Sequence, residues 1–246
     1  MLRYAGPFNF SAINNWAVAH LVGNYSHYLF CNNDIEALQP GWLERMLELG
    51  QQPDVGIVGA ELLYPDRATI QHAGVCVGAF GIAEHFGKFL RLQDTLRCPT
   101  FSEILASNHE VSAVTAACML IRREAFEAVS GFDEAMAVGF GDVDLCLRVG
   151  QLGYRVLYCP HAVLVHHESF TRGKTEGGDP HPEDSAFFRE RWQPFLAAGD
   201  PYFNPCLWQN STVWQIRQPM LCQYETRRRV YHRDEKDGRQ RFASAS

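Results

Sequence analysis

Tyr28-Leu29-Phe30-Cys31-Asn32-Asn33-Asp34 decides how this chain is read. A short apolar run that ends in two amides and a carboxylate reads as a buried strand with polar groups at its carboxyl end. In α/β proteins that end is where ligands sit. Two further runs finish the same way. Phe140-Gly141-Asp142-Val143-Asp144 opens a helical stretch, and Val163-Leu164-Val165 leads into His166-His167-Glu168. Three polar clusters at the ends of apolar runs predict one metal-assisted site assembled from distant segments.

Working outward, strand and helix signals alternate, which predicts a layered α/β sheet with mixed pairing flanked by helices. A helix is expected over residues 11–22 with Ser11 as its cap, and a second opened by Pro40, with Trp42, Leu43, Met46, Leu47 and Leu49 at helical spacing. Residues 55–60 read as a strand, and Pro65-Asp66 as a hairpin turn between residues 62–64 and 70–77. Residues 80–109 carry little periodicity and read as a long loop. Residues 111–121 are β-prone, and 123–129 form a short helix stopped by Gly131. Asp142 is placed to cap a helix running to Leu152. Residues 154–158 and 162–165 read as two strands, and 183–197 as a last helix. These residues make one domain over 1–217. From Gln218 the chain turns polar, with Arg227-Arg228-Arg229, and reads as a solvated tail over 218–246.

The formal charge of −6 argues against a nucleic-acid partner. No apolar run approaches the roughly 18 residues that span a bilayer, and residues 1–7 do not resemble a secretory signal. The eight cysteines include no CxxC pair, which suits buried thiols in a reducing cytoplasm rather than a disulfide framework or zinc cluster.

Each cluster has a plain structural reading beside the chemical one. Asn-Asn-Asp is good turn chemistry; the alternative is that Asp34 binds a divalent cation, Mg²⁺ or Mn²⁺, with Asn32 hydrogen-bonding nearby. Asp142 and Asp144 both suit the positive end of a helix dipole. Side chains two apart on a helix diverge, so only one faces a site. Asp142 is the better placed general base, and Asp144 the residue that caps or orients neighbours. Successive strand residues also point to opposite faces, so one of His166 and His167 lines the site.

Seven segments in this order closely resemble the family-2 glycosyltransferases of the rhamnosyltransferase and O-antigen type: Phe8 to Asn15, Leu29 to Asp34, Ile70-Gln71-His72-Ala73-Gly74, Val114 to Cys118, Gly131-Phe132-Asp133-Glu134, Gly141 to Arg148 and His166-His167-Glu168-Ser169. The resemblance covers roughly residues 2–210. It implies a GT-A-like fold and an inverting, Mn- or Mg-assisted transfer of a hexosyl or rhamnosyl group. The implied donor is a nucleotide-diphosphate sugar and the implied acceptor a glycan or lipid-linked molecule, at the cytoplasmic face of a bacterial membrane. Asp34 matches the metal-binding carboxylate of the family's DxD-type motif, with Asn32 and Asn33 near the donor diphosphate. Asp142 matches the base. His166 matches the histidine that completes the metal site, with His167 as the fallback. Thr115, Asp144 and His167 fall near the acceptor.

Three departures stand out: Asn32 begins the metal motif, Gly141 precedes the base where the family has an acid or amide, and Ala116 replaces a usual Gly. The family's amino-terminal nucleotide-binding section is not matched, so the GT-A domain is expected to be partial, with an unpaired sheet edge. Two origins compete: a start codon placed too late, or a truncated gene whose product is inactive. The rival function is a non-catalytic truncated homologue acting as a binding or assembly module. A metal-dependent hydrolase using Asp34, Asp142 and His166 is the third.

Overall fold

A computed structural model describes residues 2–96, 99–167 and 179–203. The tail expected over 218–246, and Glu168 and Ser169 of the last motif, lie outside the described residues. In chain order the elements are α1 (Phe10–Ala19), β1 (His27–Cys31), β2 (Ile35–Ala37), α2 (Trp42–Gly50), β3 (Val55–Leu63), β4 (Ile70–His72), β5 (Val75–Val77), β6 (Ala83–His85), α3 (Leu92–Thr95), α4 (Pro99–Leu105), β7 (His109–Glu110), β8 (Cys118–Arg122), α5 (Arg123–Ala128), α6 (Gly141–Gln151), β9 (Arg155–His166) and α7 (Pro182–Ala198).

Seven strands form one mixed sheet with the path β1-β8-β3-β9-β2; β4 adds to β3 and β7 to β9. Among the described residues only β3 and β9 run parallel. All nine residues of β3 are buried, as a strand covered on both faces must be. One face of the sheet packs Ile57, Leu63, Met119 and Val156 against α5, α6 and α7 through Phe126, Val143, Leu147 and Phe188. The other packs Val58, Ala60, Leu62 and Leu164 against Met46, with Leu43 and Leu47 of α2 alongside. β1, which delivers Asn32-Asn33-Asp34, is an end strand of the sheet. No helix among the described residues is long and apolar enough to cross a membrane.

The sheet needs Gly59 where β3 passes Val114: a Cβ there would lie 2.4 Å from the Val114 side chain. Gly59→Ala is expected to cost about 1–3 kcal/mol by overpacking, read as a lower urea midpoint with an unchanged slope.

Several expected elements are revised. α1 is capped by Asn9, whose Oδ1 accepts from the Ala12 N–H at 2.9 Å. Ser11 instead turns inward, and its hydroxyl donates to the Met136 carbonyl at 2.6 Å. The cap of α6 is Phe140, in the left-handed region at φ 60°, and Asp142 sits inside the first turn. The β-prone run over 111–121 yields a strand only from Cys118. The preceding residues are buried but irregular: the Val111 N–H still donates to the Val156 carbonyl of β9, while those of Val114, Thr115, Ala116 and Ala117 go to side chains. The two strands expected at 154–158 and 162–165 are one, β9, whose pairing with β3 slips between Cys159 and Val163. Pro160 lies in that slip, where a missing N–H costs no ladder bond. The loop expected over 80–109 contains β6, α3, α4 and the start of β7.

Candidate active site

Segment 115–117 joins two of the three sequence clusters, and the third meets the first directly, at Asn32 and Asp34. The Asn32 N–H donates to the Ala117 carbonyl at 2.9 Å. Next along that segment, the Ala116 N–H donates to Asp142 Oδ2 at 3.1 Å. Thr115, buried, directs its own N–H toward His72 Nε2 at 3.5 Å. Residues from β1, β4, the approach to β8 and the start of α6 are thus linked by single hydrogen bonds.

Asp34 and His166 meet where β9 ends beside β2. His166 pairs with Ile35 across the two strands, and the His167 N–H donates to the Asp34 carbonyl at 3.0 Å. His166 Nε2 lies 3.3 Å from Asp34 Oδ1, with side-chain exposures of 12% and 35%. Asn32 Nδ2 is 3.2 Å from the same nitrogen. His167, on the opposite strand face, pairs its Nε2 with Glu36 Oε2 at 3.2 Å. Of the two histidines the strand could present, His166 is therefore the one beside Asp34. Asn33 is exposed at the tip of the same turn.

Asp34 Oδ1 is buried and makes no hydrogen bond despite its nearness to His166. A buried carboxylate oxygen without a donor is costly, and a cation would satisfy it. Adjacent ligands of an octahedral ion at about 2.1 Å stand about 3.0 Å apart, close to the observed Asp34–His166 separation of 3.3 Å. No group of three or more His, Cys, Asp or Glu side chains is placed to hold a metal among the described residues. The pair therefore fits an ion that takes its other ligands from substrate phosphates and water, as Mg²⁺ commonly does.

Asp142 is half-buried, and each oxygen accepts one N–H: Oδ2 from Ala116, and Oδ1 from Val143 at 2.9 Å. The loop before it is held by Asp184 of α7, whose carboxylate accepts from the N–H groups of Ala137, Val138 and Gly139 at 3.2, 2.9 and 2.7 Å. Gly141, a departure noted in the sequence, has a local cause. A Cβ there would lie 2.9 Å from Ser11 Oγ.

Asp144, expected near the acceptor or as the residue that caps or orients its neighbours, is fully buried and accepts from Arg148 Nε at 2.7 Å, Arg191 Nη1 at 3.0 Å and Trp192 Nε1 at 2.9 Å. It ties α6 to α7.

Residues given no role from sequence also converge here. Gln71 is 2% exposed, and its Oε1 lies 2.7 Å from His166 Nδ1. His72 is fully enclosed; burial, with His85 and His166 nearby, holds its pKa well below the usual range and keeps it neutral. The Gln71-His72-Ala73-Gly74 segment was a signal, but nothing in it indicates which side chain reaches which strand end. A separate cavity of about 530 Å³ is lined by residues including Val75, Phe86, Glu110, Ser112 and Asp200. Asp34, Asp142 and His166 do not line it.

Residues 28–192 match the family described as "Glycosyltransferase like family 2". The chain belongs to this family. It is 40% identical over 219 residues to an O-antigen biosynthesis protein, RfbC, of Myxococcus xanthus, covering 88% of this chain and 16% of that one. It is 28% identical over 138 residues to an N-acetylglucosaminyl-diphospho-decaprenol L-rhamnosyltransferase of Mycobacterium tuberculosis, covering 55% of this chain and 45% of that one. The chain thus spans less than half the length of either relative. Among solved structures it is similar to GalNAc-T7 with UDP, GalNAc and Mn²⁺, at TM-score 0.54 and 11% identity, over 77% of this chain and 37% of that one. The mixed sheet between helix layers is the GT-A fold of the family.

Proposed function

We propose that the chain carries an inverting glycosyl transfer from a nucleotide-diphosphate sugar to a glycan or lipid-linked acceptor, assisted by Mn²⁺ or Mg²⁺. The observation that carries this reading is the buried, unsatisfied Asp34 Oδ1 set 3.3 Å from His166 Nε2, in one hydrogen-bonded neighbourhood with the Asp142 carboxylate. The cation, when bound, offsets the charge that builds on a diphosphate leaving group.

The chain's own groups do the rest. Asp34 and His166 hold the ion, and Asn32 and Asn33 lie where the diphosphate would meet the turn. Asp142 accepts the proton of the acceptor hydroxyl. Its two backbone N–H bonds fix the carboxylate in place, so the base is oriented before the acceptor arrives. Thr115 and His167 border the acceptor side. The relatives' names favour a cell-surface polysaccharide acceptor and rhamnose as one sugar to test. A place of work on the inner membrane face, held peripherally, follows from a lipid-linked acceptor.

Calorimetric titration with UDP and dTDP, with and without Mn²⁺, tests the reading; metal-dependent binding is expected. In Asp34→Asn the Mn²⁺ affinity should fall by more than the roughly 10–100-fold of a lost supporting hydrogen bond. Metal-independent binding, or an Asp34→Asn chain that binds Mn²⁺ as the parent does, removes Asp34 from the site. Absence of both metal and nucleotide binding would favour a non-catalytic binding module.

A further inference from the structure

We propose that Gln71 is a positioning residue: it fixes the tautomer and ring orientation of His166, so that the Nε2 lone pair is held toward Asp34. The cation-binding part of this inference rests on the reading of Asp34 and His166 given above; the tautomer part does not.

Two arrangements of heavy atoms agree on where the proton sits. Gln71 Nε2 lies 3.4 Å from the His166 carbonyl oxygen. That oxygen can only accept, so the amide end facing it is the NH₂. Gln71 Oε1 then faces the ring, 2.7 Å from Nδ1, and being an acceptor it requires Nδ1 to carry the proton. In a neutral imidazole this leaves Nε2 as the lone pair. Independently, Asn32 Nδ2 is within hydrogen-bond distance of Nε2 at 3.2 Å, so Nε2 has a donor to accept from.

The backbone explains how Gln71 reaches across. Leu62 pairs with His72 and Leu63 with Ile70, leaving Gln71 as the extra residue of a β-bulge on β4. Bulges re-aim one side chain and recur beside active sites. Here the bulge lets a strand covered on both faces turn an amide toward the end of β9. Histidine ligands of metals ordinarily donate their second N–H to such an acceptor. Losing that partner typically weakens metal binding about 10–100-fold.

The test is ¹⁵N NMR of the metal-free full chain labelled at histidine, with the His166 signals assigned by their loss in His166→Gln. The parent chain should show Nδ1 protonated and Nε2 unprotonated. Gln71→Leu, an apolar replacement suited to a buried site, should shift His166 toward the Nε2-protonated form. Gln71→Glu, which still accepts from Nδ1, should restore the parent tautomer. Mn²⁺ titrations followed by electron paramagnetic resonance should show about 10–100-fold weaker binding in Gln71→Leu and recovery in Gln71→Glu. A parent chain with Nε2 protonated overturns the inference even if Gln71→Leu fails to fold, as does a Gln71→Leu chain with an unchanged tautomer. If the tautomers behave as stated but the parent binds no Mn²⁺, the positioning role stands and the cation reading fails. If Mn²⁺ binding weakens alike in Gln71→Leu and Gln71→Glu, Gln71 only supports the fold.

Discussion

Asp142→Asn is expected to lower turnover about 10²–10⁴-fold, the usual contribution of a general base, while Mn²⁺ and nucleotide binding persist. The geometry sets the terms of the comparison. Both carboxylate oxygens accept backbone N–H groups, from Ala116 and Val143. An Asn side chain must turn its NH₂ toward one of them, so a stability loss of about 1–3 kcal/mol accompanies the substitution. Turnover is therefore compared at a temperature where both proteins are fully folded, by release of nucleoside diphosphate in the presence of acceptor. Loss confined to kcat identifies a group that acts on the reacting atoms. If Asp142→Asn keeps turnover within tenfold of the parent, Asp142 is not the base.

Asp144→Ala, two residues further on, is expected to act on stability instead. Its carboxylate is fully buried and accepts from Arg148, Arg191 and Trp192. Deleting it leaves two guanidinium groups and an indole N–H without their shared acceptor. Breaking a buried pair by removing one partner typically costs 3–5 kcal/mol. Arg148 and Arg191 keep side-chain exposures of 18% and 31%, so water relieves part of the loss and the lower end, about 3 kcal/mol, applies. For a chain of this length that is a fall in Tm of about 6–12 °C, readable by circular dichroism. The residual folded protein should still bind Mn²⁺, since Asp34 and His166 lie on other elements. An unchanged Tm would mean that the link between α6 and α7 contributes nothing.

The contrast between Asp142 and Asp144 shows what could be read without coordinates. Helical periodicity established that the two point in different directions, and the flanking glycines singled out Asp142. Of the three partners of Asp144, Arg148 stands four positions on, a local helix pairing, but Arg191 and Trp192 lie more than forty positions away, and no local pattern reaches them. The histidines behave similarly. Strand alternation required His166 and His167 to face opposite ways, but only the pairing of β9 with β2 places His166 at Asp34 and His167 at Glu36.

By itself, then, the sequence determined the elements whose signals are local: alternating strands and helices, polar groups at strand ends, and a family resemblance carried by seven ordered segments. The tertiary structure decided what depends on register and on contacts between distant segments. It merged two apparent strands into β9, because Pro160 falls in a register slip where its missing N–H costs no ladder bond. It left residues 114–117 irregular despite the β-prone composition of the run, because their N–H groups go to the side chains of Cys146, His72, Asp142 and Thr115. It also turned Gln71 out of register toward His166. A bulge is one unpaired residue, and nothing in its own neighbourhood of sequence records which side chain across the sheet it will meet.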